Sequence, residues 1–84
     1  LSWTQKFAEP IRTSSGQTIR TLADARAFML QLSPQVTWQN EWQNAADKLL
    51  LASQGKASVE EAREAVCNAL VLNMRLTEAR WIEN

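Results

Sequence analysis

The chain predicts an α+β fold: one β-hairpin packed on three α-helices, the third of them central. Three observations carry this. A turn-forming cluster, Thr13-Ser14-Ser15-Gly16, is flanked by β-branched residues. Three later segments repeat apolar residues at helical spacing, each opened by a capping residue. The last of them, over residues 58–74, has an apolar arc too wide for a helix covered on one side only.

Phe7, Pro10 and Ile11 lead into the turn cluster, and Gln17-Thr18-Ile19-Arg20-Thr21 leaves it with period-two alternation. This reads as a hairpin over residues 7–21, with Pro10 placing the first strand at an edge because proline has no N–H to donate to a ladder. A lone hairpin is barely stable in water. It must therefore lie on a helix, with Ile11 and Ile19 facing inward.

The first helix is expected over 22–32. Thr21 and Asp24 form a capping box at its start, and Leu22, Ala25, Phe28, Met29 and Leu32 make its buried face. Ser33-Pro34 stops it, since the residue before a proline is pushed out of helical geometry. Residues 35–37 are read as a short connection. Thr37 then caps a second helix over 38–54, in which Trp38, Trp42, Ala45, Ala46, Leu49 and Ala52 share one face and Leu51 projects alone from the polar side. Gly55 stands where a left-handed residue ends a helix.

Ser58 and Glu61 form the capping box of the third helix, expected over 59–75. At about 100° per residue, Val59, Ala62, Ala65, Val66, Ala69 and Leu70 fall on one arc, and Cys67, Leu72 and Met74 widen it. A surface helix needs an apolar stripe of roughly 100°. This helix is therefore covered on two sides, by the rest of the domain or by a partner. Residues 77–84 either extend it or form a short turn around Trp81. The triplets Asp24-Ala25-Arg26, Glu61-Ala62-Arg63 and Glu78-Ala79-Arg80 are unequally spaced, so helix-start chemistry accounts for them better than a repeat does.

Eighty-four residues make one small domain with a single core. Nine cations balance nine anions, which removes the excess positive charge that nonspecific binding to nucleic acid or an anionic membrane requires. One cysteine allows no internal disulfide, and no basic segment precedes an apolar run and a cleavage site, so a cytoplasmic protein is expected. No apolar run approaches the ~20 residues of a membrane span.

The order Pro10-Ile11-Arg12, Gly16, a capped helix with Ala25, a tryptophan-led helix ending at Gly55, then Val59-Glu60-Glu61-Ala62-Arg63-Glu64-Ala65 resembles a family of small bacterial proteins. These are grouped as domain of unknown function 982 and are common in rhizobia and related alpha-proteobacteria. The resemblance covers residues 7–72. It implies a hairpin packed on helices and brings no established activity, so no functional residue is carried over from it.

The residues themselves argue against catalysis. The chain has no histidine and no tyrosine, so the commonest general base and metal ligand is missing. Cys67 lies mid-helix among Val66, Leu70 and Val71, away from the helix N-terminus or cation that would activate a thiol, and reads as structural. Glu60, Glu61 and Glu64 fit the helix dipole rather than a paired-acid site. No catalytic, cofactor or metal site is expected.

Binding surfaces are better represented. Trp38 and Trp42, one turn apart, are expected in the core. Trp3 and Trp81, near the two ends, are candidates for partner contact, because aromatics are enriched among interface anchors. Leu51, Val71 and Leu72 exceed what one small core needs and could form a partner-facing patch. Arg26 and Arg63 border the apolar arcs. Snorkelling of the stem is favoured for both over an ion pair with Asp24, Glu64 or an acid of a second chain. The expectation is thus a small non-enzymatic interaction or regulatory module, with an unidentified protein or a second copy as partner. The alternative is a nucleic-acid binder using Arg12, Arg20, Arg63 and Arg75 on a segregated basic face, against which zero net charge counts.

Overall fold

The computed structural model describes residues 3–72. Two strands, β1 (Lys6–Arg12) and β2 (Thr18–Thr21), pair antiparallel and are followed by helices α1 (Leu22–Leu30), α2 (Pro34–Thr37), α3 (Asn40–Ser53) and α4 (Val59–Leu72). The α+β class and the hairpin-first order are those the sequence predicts. Trp81, Met74, Arg75 and the end of the third predicted helix lie outside the described residues.

The hairpin closes through the expected turn. Gly16 N–H donates to the Thr13 carbonyl and Thr13 N–H to the Gln17 carbonyl, both at 3.0 Å. Gly16 has φ +92°, a left-handed conformation that suits glycine in a three-residue hairpin loop. Thr13 is buried, and its Oγ1 is engaged by Ser15, the Gln17 carbonyl and the Gln17 N–H. Ile11 and Ile19 sit opposite each other in register and are both buried, which is the inward pair expected. The register runs Ile11↔Ile19 but Lys6↔Thr21, so five steps on β1 span two on β2. β1 therefore bulges between Lys6 and Ile11. Pro10 falls within the bulge, where its missing N–H costs no ladder bond.

The helix caps follow their chemistry. Asp24 N–H donates to Thr21 Oγ1 at 3.0 Å, while the Asp24 carboxylate accepts from Arg20 N–H at 3.0 Å. Glu61 N–H donates to Ser58 Oγ at 3.0 Å, and the Glu61 carboxylate accepts from Ser58 N–H at 3.3 Å, a complete reciprocal box. After α3, Gly55 N–H reaches the Ala52 carbonyl and Lys56 N–H the Leu51 carbonyl, with Gly55 at φ +78°. That pairing is a Schellman termination, and it places the turn into α4.

One expectation about the helices is corrected. Ser33-Pro34 does end the first helix, but it also begins another. Proline at the first helical position has its φ already set and loses no helical bond. Residues 34–37 accordingly form a helical turn, where residues 35–37 are expected only as a short connection. Thr37 does not cap a helix running from Trp38; its hydroxyl donates back to the Pro34 carbonyl at 3.3 Å. Gln39 is extended (φ −68°, ψ 148°), and α3 starts only at Asn40.

The core runs from Phe7, Ile11 and Ile19 on the hairpin, through Leu22, Ala25 and Phe28 on α1, to Trp42, Ala45 and Leu49 on α3 and Val66, Ala69 and Leu70 on α4. The most extensive helix contact is α3 on α4, and α4 also packs on β1. The arc of Ala62, Ala65, Val66, Ala69 and Leu70 is thus covered on two sides, whereas Leu72, expected to widen it, is exposed. Short side chains on both partners, Ala45 and Ala52 against the α4 set Ala62, Ala65 and Ala69, allow the axes to approach closely. Met29 and Leu32 are half-buried against this core, whereas Ala46, expected on the core face of its helix, is exposed. Among the described residues no helix is long and apolar enough to cross a membrane.

Candidate functional site

Breaking the second predicted helix at Gln39 changes what becomes of its tryptophans. A continuous helix would have put Trp38 and Trp42 on one face. One extended residue between them removes that phase relation. Trp42 is fully buried, its ring 6.2 Å from that of Phe28. Trp38 is 80% exposed, so its expected place in the core is overturned.

Trp38 stands at the rim of an apolar groove of about 490 Å³ between α1, α2 and α3. Met29, Leu30 and Leu32 line it from the α1 side, Pro34 and Trp38 from α2, and Ala46 and Leu49 from α3. Leu30 is 73% exposed there. Gln43 also lines the groove, its Nε2 donating to the Thr37 carbonyl at 2.7 Å and so tying the end of α2 to the first turns of α3. Trp38 N–H in turn donates to the Pro34 carbonyl at 3.0 Å. The backbone that carries the exposed indole is therefore held in place.

Trp3 and Arg26 also line the groove. The Trp3 carbonyl accepts from Ala23 N–H at 2.9 Å and the Gln5 carbonyl from Leu22 N–H at 3.0 Å, satisfying N–H groups that the start of α1 leaves without helical partners. Gln5 Nε2 donates to the Ala52 carbonyl at 3.2 Å, pinning the same segment to the end of α3. Trp3 is thereby fixed, and the Arg26 guanidinium lies over its ring at 5.5 Å from the centroid. This cation–π contact, and not a pair with Asp24, is the interaction that positions the exposed guanidinium of Arg26.

The other sequence candidates lie elsewhere. Arg63 donates through Nε to the Glu9 carbonyl at 2.8 Å and has the Glu9 carboxylate 3.9 Å away. It is engaged within the fold, and with neither of the acids considered for it. Leu51 and Val71 are half-buried and Leu72 is 60% exposed near the end of α4; none of the three lines the groove. Trp81 lies outside the described residues. Cys67 is half-buried against the core. Arg12 and Arg20 are exposed on the hairpin, and among the described residues no cluster of three or more His, Cys, Asp or Glu side chains could hold a metal ion.

Of the groove's residues, only Trp3 was singled out from the sequence as a partner contact. The signal for the rest was Ser33-Pro34, which marks a helix start as well as a stop. A start at Pro34 uncouples Trp38 from Trp42 and frees Trp38 to face outward. No protein-family model matches this chain, and neither a curated protein nor a solved structure matches it.

Proposed function

We propose that this chain is a small non-enzymatic interaction module whose docking surface is the groove between α1, α2 and α3. One observation carries the reading: Trp38 and Leu30 are left largely exposed beside a concave apolar surface. Large apolar side chains at the rim of a preformed cleft gain free energy when an occupant removes them from water. Tryptophan and arginine are also the residues that most often dominate interface energetics. The groove contains Trp3, Trp38 and Arg26. In this reading Trp3 contacts the partner together with Trp38.

Membership of the domain of unknown function 982 group is proposed on the sequence resemblance alone, and a cytoplasmic setting on the single cysteine. The test is parallel capture from host lysate with the wild-type chain and Trp38→Ala, together with mass measurement of each across a dilution series. A partner, or a second copy, held by the wild type and lost from the variant is the expected result. Identical capture and identical mass for both chains would remove the groove from the function.

A further inference from the structure

We infer that the groove selects an amphipathic helix of a partner protein, with apolar anchors facing Trp38 and Leu30 and a carboxylate meeting Arg26. This rests on the groove being the docking surface proposed above. Two features of the groove narrow the occupant.

The first is what its walls can offer. Most lining residues belong to α1, α2 and α3, whose interior backbone N–H and C=O groups are already bonded along each helix, while Trp3, Leu32 and Trp38 lie just outside them. Among the described residues neither hairpin strand lines the groove, so an extended segment finds no sheet edge to extend here. A segment entering this groove must satisfy its own backbone bonds and bind through side chains, as an amphipathic helix does with anchors one turn apart.

The second is charge. Among the described residues that line the groove, Arg26 alone is ionised. No carboxylate among the described residues pairs with it; Asp24, two positions before it, is turned to the Arg20 N–H. Covering the groove takes water from the guanidinium, and a buried cation needs an anion to offset that cost. Trp3 already holds the guanidinium over its ring. A partner carboxylate therefore gains a charge-assisted, directional contact, while a lysine or arginine at the same place is repelled.

The probe is a displayed library of helix-forming peptides, randomised on one face and selected on the full chain. Selected sequences are then synthesised and titrated by fluorescence anisotropy against wild type, Trp38→Ala and Arg26→Glu, with thermal unfolding confirming that each variant is folded. The expected result is enrichment of Asp or Glu at one position beside the apolar anchors. Binding should weaken at least tenfold with Trp38→Ala. Arg26→Glu should weaken acidic peptides by a similar factor and favour their lysine-substituted versions. Peptides that need Trp38 but show no acidic preference and ignore Arg26→Glu would overturn the inference while leaving the groove as a docking surface. Peptides indifferent to Trp38, or no selection at all, would overturn both.

Discussion

Arg63 Nε–H donates to the Glu9 carbonyl at 2.8 Å, joining residues 54 positions apart. The contact ties α4 to the bulged part of β1, where the ladder to β2 is interrupted and the backbone has fewer partners. Arg63 has 22% of its side chain exposed, whereas Glu9 has 84%. The hydrogen bond to the carbonyl and the ion pair to the carboxylate therefore differ in worth.

Arg63→Met should cost about 1–2 kcal/mol, the scale of a charge-assisted hydrogen bond discounted for partial exposure. Glu9→Gln should change stability by less than about 0.5 kcal/mol, because the carbonyl acceptor survives and the exposed pair at 3.9 Å adds little. Urea unfolding of both variants separates the two. Equal losses would mean that the ion pair, not the carbonyl contact, holds the bulge.

The two tryptophans of the α2–α3 region should behave oppositely. Trp38→Ala is expected to leave the denaturation midpoint close to wild type, since the ring is mostly in water. Trp42→Ala should cost about 3–5 kcal/mol by opening a cavity in the centre of the core. Trp42→Phe should cost clearly less than Trp42→Ala. It keeps most of the ring volume and removes an indole N–H that is buried with no hydrogen-bond partner among the described residues. Calorimetry on the three variants checks the order.

Gly55→Ala should cost about 1–2 kcal/mol, the penalty for placing a Cβ in the left-handed region. A Cβ built there meets nothing within 4 Å, so the cost is one of backbone conformation and not of collision. Gly55→Asn should recover part of it, because asparagine tolerates that region best among residues with side chains. The readout is a shifted urea midpoint at unchanged slope. Equal losses for alanine and asparagine would point away from conformation as the cause.

Ser58→Ala should cost roughly 1 kcal/mol by removing the acceptor for Glu61 N–H. Glu61→Gln should be nearly neutral, since the amide oxygen can still accept from Ser58 N–H. Amide hydrogen exchange in the first turn of α4 should rise in the first variant and stay near wild type in the second.

What the sequence alone determined is local. The hairpin turn follows from a glycine able to adopt positive φ, and the inward pairing of Ile11 with Ile19 from the two-residue period of a strand. The Ser58–Glu61 box, the Gly55 termination and the two-sided burial of α4 are likewise written in short-range spacing, where backbone geometry leaves few choices. The tertiary structure decided what depends on distant partners or on the phase between elements. One extended residue, Gln39, sent Trp38 outward and Trp42 inward, although both stand on a pattern that a continuous helix would also satisfy. Arg63 found a carbonyl across the domain, and Arg26 found a ring brought to it by the backbone bonds of Trp3 and Gln5. Periodicity says which face of a helix is apolar. Which neighbour covers that face, and which face is left open as a groove, is settled only when the elements pack.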